Sequence, residues 1–378
     1  MTESSPQRRV ALVIFRLAPA GGLEQHCLRL AAILCRRGAA VTLVTTRAPD
    51  GPLPEGAALE LVAARGSSNH GHLAAFAADA ARAVAGRFER AVAFHAIPGF
   101  DAIFVADPSR SRPAGLRALL PRYRAYAALE RAALAPDGAQ LVLTLSGAQR
   151  EAFLANTGAA PERLALLPPT VDRKRAAAPP TPAQKVAARG RLGLPGAGPV
   201  WLWIGLQPQT KGLDRALAAL AGVPEARLIV CGLDPKSRAG AAMAALAERL
   251  GVASRTAWLG FASEGTLADA FAAADLLLHP SRADVTGTVI LEALAAGLPA
   301  ITTAVCGYGE HVVAADAGAV LPEPFSAAAL SRALAGATPD ALARWSANAA
   351  AYASRDALYS GLERAADLIL AAAPRSGP

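Results

Sequence analysis

Short apolar, β-branched runs alternate along this chain with segments of helical period, and they do so in two successive series. That alternation constrains the fold more than any single motif. Val10 to Phe15 and Ala40 to Thr46 are strand-length runs, and Leu23 to Arg37 between them repeats apolar residues at helical spacing. Such a β-α-β unit requires a parallel sheet, because a crossover helix returns the chain in the same direction. The pattern continues through Ala91 to Phe94, Ile103 to Ala106, Leu141 to Leu145 and Leu164 to Leu167. Asp172 to Pro199, rich in Pro, Ala, Gly and basic residues, reads as the connection between domains.

The second series begins with Val200 to Ile204 and a helix from Leu213 to Ala221, then Ala226 to Cys231 and a helix from Ala239 to Leu250. Thr256 to Leu259, a buried strand from Phe271 to His279 and another led by Pro299 complete it. Ala349 to Ala373 reads as helical and Ala-rich. The expected fold class is α/β, with two doubly wound domains over residues 1–172 and 173–355 and a terminal helix, 356–378, returning to the first. At 378 residues and 53% hydrophobic content, the chain is long enough for two cores.

Composition excludes several other classes. Cys27, Cys35, Cys231 and Cys306 are scattered without a CxxC pair, so neither a zinc ribbon nor a disulfide framework is expected, and a reducing compartment is. The apolar run after Arg9 is cut at Arg16, too short for a signal peptide core, and the uncharged run Ala293 to Gly309 contains Gly297 and Pro299, so a membrane span is not expected. Gly193, Gly196 and Gly198 lie in the Pro-rich connection rather than after a strand, and Gly205 to Lys211 lacks the second glycine and hydroxyl of a P-loop, which argues against dehydrogenases and P-loop ATPases.

The net charge of +8 is uneven, since residues 1–170 carry 19 basic against 13 acidic side chains. Between Arg110 and Leu134, Arg110, Arg112, Arg117, Arg122, Arg124 and Arg131 face Glu130 alone, interleaved with Leu119, Leu120, Tyr123 and Tyr126. The segment suits an anionic membrane surface, with a solvated Arg-rich helix as the alternative. Nucleic acid is not an expected partner, because no RNP motif, zinc finger or helix-turn-helix is present.

The chemistry concentrates in Asp284-Val-Thr286-Gly287-Thr288-Val-Ile-Leu-Glu292, where two acids eight apart enclose a Gly-containing helix start. Unpaired amides at such a start favour anions and hydroxyls, and a carboxylate beyond it accepts two bonds from a diol. A solvated helix face is the alternative. Gly21-Gly22 opens the first helix, where backbone can approach a phosphate, and Lys211-Gly212 lies beyond the carboxyl end of Trp201 to Ile204. Gly232 follows the next strand.

In that order these elements resemble the retaining glycosyltransferases of the GT-B fold, two facing Rossmann-like domains. Asn69-His70-Gly71, Pro98-Gly99-Phe100-Asp101, Ala106-Asp107, Arg122-Tyr123-Arg124, Leu278-His279-Pro280 and Thr302-Thr303-Ala304-Val305-Cys306-Gly307-Tyr308 narrow the resemblance to the lipopolysaccharide core glucosyltransferase I group of glycosyltransferase family 4, over roughly residues 9–370. The resemblance implies hexose transfer, of glucose from UDP-glucose, to heptose of a lipid-linked inner core. It implies retention of configuration, no metal, no cofactor beyond the UDP-sugar co-substrate, and a cytoplasmic site on the inner membrane.

It further implies that Asp107, Lys211 and Asp284 are catalytic. Lys211 would hold the diphosphate, Glu292 the ribose, Asp284 with Thr286, Gly287 and Thr288 the sugar hydroxyls, Gly21 and Gly22 the phosphates, and Gly232 and Phe261 the base. His26, Asn69 and His70 would contact the acceptor, with structurally satisfied histidines as the alternative. Two departures stand out: Asp284 replaces a glutamate, and Thr210 replaces an arginine for which Arg215 could compensate. Another UDP-sugar donor, an exopolysaccharide lipid acceptor, or a catalytically weakened binding protein are the other readings.

Overall fold

The structure is a computed structural model and describes residues 7–17, 22–63, 68–111, 118–176, 178–194 and 198–371. The chain divides into two compact units, Met1–Thr170 with Tyr359–Pro378, and Val171–Leu358. These breaks fall two to three residues from the boundaries expected above.

The first unit contains β1 (Arg9–Val13), α1 (Gly22–Arg36), β2 (Ala40–Thr45), β3 (Ala57–Leu61), α2 (Asn69–Val84), β4 (Arg90–Ala93) and β5 (Ala102–Phe104). It continues with α3 (Pro121–Ala133), β6 (Leu141–Thr144), α4 (Gly147–Thr157) and β7 (Leu164–Leu166). Among the described residues its sheet runs β3-β2-β1-β4-β5-β6-β7, parallel at every pairing. β1 and β4 are buried along almost their whole length, which is why both read as unbroken apolar runs: helices cover both faces.

The second unit contains α5 (Pro182–Arg191), β8 (Val200–Ile204), α6 (Leu213–Ala221), β9 (Arg227–Cys231), α7 (Arg238–Arg249), β10 (Thr256–Gly260) and α8 (Glu264–Ala273). Then come β11 (Leu276–His279), α9 (Thr288–Ala295), β12 (Ala300–Thr303), α10 (Gly309–Ala314), β13 (Gly318–Leu321), α11 (Ala327–Gly336) and α12 (Pro339–Ala353). The sheet order is β10-β9-β8-β11-β12-β13, again parallel throughout. The last helix, α13 (Gly361–Ala371), packs in the first unit: Leu362, Ala365, Ala366 and Ile369 join the core beside α1, and Arg37 pairs with Glu363 and Asp367.

Three expectations are corrected, and the bounds of one further segment are set. Phe271 to Ala273 ends helix α8, and the strand begins only at Leu276. Alanines at 272–274 suit either state, and Asp275 sets the boundary by accepting from the Val200 amide at 2.8 Å and from Lys185 and Arg189. The presumed connection, Asp172 to Pro199, contains helix α5, started by Thr181 and Gln184, which bond reciprocally to each other's backbone amides. Ala349 to Ala373 is not one helix, since α12 ends at Ala353 and α13 begins at Gly361, in different units. Within Arg110 to Leu134, helix α3 spans only Pro121–Ala133.

Candidate functional site

Strand order alone marks one place in each unit. In the second, the chain builds β8, β9 and β10 outward on one side, then returns to add β11, β12 and β13 on the other. β8 and β11 are therefore neighbours at the strand-order reversal, and the carboxyl ends of the strands at such a reversal are where α/β sheets bind ligands. Lys211 follows β8 there and Asp284 follows β11.

Both loops end in a left-handed glycine that starts the next helix, Gly212 (φ 71°) for α6 and Gly287 (φ 77°) for α9, and neither start has a side-chain cap. At α6, however, Leu213 N donates to Pro208 O at 2.8 Å and the Asp214 carboxylate accepts from the Asp214 and Arg215 amides, so the uncapped start that suits a ligand is that of α9. The loops are pressed together. A Cβ on Gly212 would stand 2.0 Å from the Pro280 carbonyl oxygen, so no larger residue fits. Arg282 donates its backbone N–H to Thr210 O at 2.8 Å, and its guanidinium clamps Gln209 O and Asp214 at 2.6–2.7 Å. Trp203, fully buried, donates from its indole to Lys211 O at 3.0 Å.

At the centre, Lys211 Nζ lies 2.6 Å from Asp284 Oδ2 and His279 Nε2 lies 2.9 Å from the same oxygen, while the Gly287 amide donates to Asp284 Oδ1 at 2.9 Å. Burial alone would raise the Asp284 pKa, but His279 and Lys211 outweigh it and hold the carboxyl at about 2. Asp284 is therefore a fixed anion and Lys211 its poised cation. Thr286 Oγ1 and Thr288 Oγ1 are 3.3 Å apart beside them, and Thr286 O accepts from Tyr308 N at 2.6 Å. Glu292, half-buried, lies one helical turn into α9, which starts at Thr288.

Gly232 (φ 84°) closes β9 where a Cβ would meet Gly205 O at 2.9 Å, so its glycine is required by backbone packing whatever it binds. Phe261, 70% exposed, follows β10. Arg215 is committed elsewhere: it donates to Pro280 O and Ser281 O at 3.1 Å and stacks 3.7 Å from the Phe325 ring centroid. The absent arginine at 210 is thus not replaced by a free Arg215 guanidinium.

In the first unit the same reversal falls between β1 and β4, and a cavity of about 350 Å³ opens there. Asn69, His95, Asp107, Arg110 and Tyr126 line it, with Arg16 and Glu24. Arg110 Nη2 is 3.3 Å from Asp107 Oδ1, and its guanidinium lies 4.8 Å from the Tyr126 ring centroid. Burial lowers the His95 pKa, with the Asp107 charge opposing it. His70 is not among the lining residues; it bonds to Ser68 Oγ at 3.3 Å and meets Tyr126 edge-on.

His26 departs from its expected role. It is 8% exposed, bonded through Nε2 to Thr170 Oγ1 at 2.8 Å and set against Phe104, with burial first and Arg29 second lowering its pKa to about 4. It is a neutral core histidine rather than an acceptor contact. The arginine segment is also divided: Arg110 lines the cavity, Arg131 bonds to Ser111 O, and Arg122 and Arg124 are exposed. Arg112, Arg117 and Gly21 lie outside the described residues. Glu130 is not a counter-charge on that surface. Buried, it accepts from the Ser109 and Ser111 hydroxyls and the Arg110 and Ser111 amides, at 2.6–3.0 Å, and so holds the loop carrying Arg110.

Three positioning residues escape a reading of the sequence: Glu130, His279, and Gln149, whose side chain joins Val105 O, Asp107 O and Leu145 N and fixes the backbone at Asp107. A lone acid inside the arginine run was the signal available for Glu130, and the Leu278-His279-Pro280 motif marked His279 without giving it a role. His279, Asp284 and Cys306 also gather their ligand atoms within 4.8 Å of one another.

Two Rossmann-like units, each with charged groups at its strand-order reversal, define a nucleotide-dependent transferase architecture, and residues 185–352 match the family described as glycosyl transferases group 1. Over 373 residues the chain is 34% identical to lipopolysaccharide glucosyltransferase WaaG of Escherichia coli, spanning 95% of this chain and 98% of that one. The crystal structure of WaaG matches with a TM-score of 0.86 at 33% identity, over 96% and 100% of the two chains. The protein belongs to this family and is a glycosyltransferase of the GT-B fold. HepE of Anabaena, solved with UDP-glucose, shares the fold at a TM-score of 0.73 and 19% identity over 96% and 99%.

Proposed function

We propose that this protein transfers glucose from UDP-glucose to a heptose of the lipopolysaccharide inner core, with retention of configuration. The observation that carries the reading is the Lys211, Asp284 and Gly287 cluster at the β8/β11 reversal, in a chain matching WaaG over nearly its whole length. As the glycosidic bond breaks, negative charge grows on the departing UDP. Lys211, on a loop held by Trp203, Arg282 and Gly212, and the uncapped start of α9 stabilise that charge. The donor phosphates draw Lys211 from Asp284, whose carboxylate keeps its bonds from His279 and Gly287 and accepts from sugar hydroxyls. Glu292 accepts from the ribose. Asp107, 55% exposed and braced by Arg110, lies with Asn69 in the cavity assigned to the acceptor side of the reaction.

The positive charge supplied by Lys211 and the amides takes the place a divalent ion fills in other sugar transferases. Among the described residues no helix is long and apolar enough to cross a membrane, and exposed Arg122, Arg124, Leu119 and Leu120 at the start of α3 suit peripheral attachment to the anionic inner face. Turnover of a labelled panel of UDP-glucose, UDP-galactose and UDP-glucuronate on heptose-containing lipid A tests the proposal. Glucose transfer is expected; transfer of another sugar alone, or none, would refute it.

A further inference from the structure

His279, Asp284 and Cys306 come from three separate points, the end of β11, the loop after it and the turn after β12, yet their ligand atoms all lie within 4.8 Å of one another. Backbone pairing sets that convergence. Asp284 and Cys306 form a parallel bridge, Gly307 N donates to Asp284 O at 3.2 Å, and Thr302 Oγ1 donates to His279 O at 3.0 Å. His279 is 1% exposed, and its Nε2 edge faces Asp284 Oδ2 at 2.9 Å, so the imidazole and the carboxylate already converge in the interior.

An imidazole nitrogen, a thiolate and a carboxylate form a borderline-soft donor set. Zn²⁺ and Co²⁺ favour such a set, whereas Mg²⁺ and Ca²⁺ take oxygen ligands. Ligand atoms around a tetrahedral ion stand about 3.3–3.5 Å apart, so the widest pair closes by little more than ~1 Å. Three protein ligands leave a fourth position for water.

Lys211 Nζ, however, already lies 2.6 Å from Asp284 Oδ2. A dication beside that carboxylate repels the ammonium across a few ångströms of poorly screened interior, so the two cations exclude one another. We propose that His279, Asp284 and Cys306 form an inhibitory site for a thiophilic divalent cation, whose binding releases the Cys306 proton to solvent and displaces Lys211 from Asp284. The reaction needs no such ion; the site acts against it by taking the partner that positions Lys211.

Titrating the full chain with Co²⁺ tests the inference, because a cobalt–thiolate bond gives a near-ultraviolet charge-transfer band that reads the ion directly, independent of donor or turnover. The band is expected in the wild type and absent in Cys306→Ser, with circular dichroism confirming that the variant is folded. In Lys211→Ala the band persists and the apparent Kd falls by at least about tenfold, because the competing ammonium is gone. No band in the wild type, an unchanged band in Cys306→Ser, or equal affinity in Lys211→Ala would each overturn it.

Discussion

The pressing of the Lys211 loop against the Asp284 loop is a structural claim that Gly212→Ala addresses directly. Two costs arise. At φ 71° an alanine pays about 1–2 kcal/mol for the left-handed conformation. Its Cβ would also stand 2.0 Å from Pro280 O and 2.7 Å from Pro280 C, more than 1 Å inside ordinary contact with backbone that cannot turn aside as a side chain can. Separating the loops breaks the Arg282 and Arg215 bonds between them as well, so the total should reach roughly 3–5 kcal/mol. Gly251→Ala is the control: φ is 67°, but nothing lies within 4 Å of its Cβ, and only the conformational cost applies.

The chain's four tryptophans, Trp201, Trp203, Trp258 and Trp345, all lie in the second unit, so urea unfolding followed by tryptophan emission reads that unit. Gly212→Ala should lower its stability by at least about 2 kcal/mol more than Gly251→Ala does. Equal losses would show that the loops do not meet as described.

The remaining predictions concern other parts of the molecule. The folded-state pKa of His26, lowered to about 4, lies below its unfolded value, so the unfolded chain takes up a proton that the folded chain refuses. The first unit should therefore hold its full stability above about pH 6.5 and lose roughly 3 kcal/mol as pH falls toward 4. His26→Gln, followed by circular dichroism across that range, should remove most of this dependence; an unchanged pH profile would show that His26 is not its source. Arg122→Glu with Arg124→Glu should reduce co-sedimentation with anionic vesicles at low salt while leaving UDP affinity unchanged. Wild-type protein that ignores such vesicles would dismiss the membrane reading. Glycosyl transfer should survive EDTA, and a complete loss restored by Mg²⁺ or Mn²⁺ would contradict the role given to Lys211.

What the sequence reveals follows from where the determining contacts lie. β1, β4 and β8 are legible because strands covered on both faces must be apolar throughout. β3, Ala-Ala-Leu-Glu-Leu, is a half-exposed edge strand with no such run, and it is visible only once paired with β2. The α8 end at Ala273 depends on Asp275 meeting Val200, Lys185 and Arg189, contacts 75–90 residues away in sequence. Lys211, Gly212, Asp284 and Gly287 could be singled out because a strand-to-helix turn is a local object with local requirements. His26 could not be assigned correctly, since a histidine's role is decided by what surrounds it: Thr170 lies 144 residues from His26. Arg110 likewise reads as one of a row of surface cations until Glu130 and Asp107 draw it into the cavity.

Calorimetric titration with UDP of wild type, Lys211→Ala and Glu292→Ala tests the central claim most directly. The account predicts that Lys211→Ala loses about 1.5–3 kcal/mol of affinity, the value of a charge-assisted hydrogen bond, equivalent to roughly a 10- to 150-fold weaker Kd, and that Glu292→Ala also binds UDP more weakly. UDP binding that is unchanged in both variants would place the donor elsewhere and contradict the reading of the β8/β11 reversal as its site.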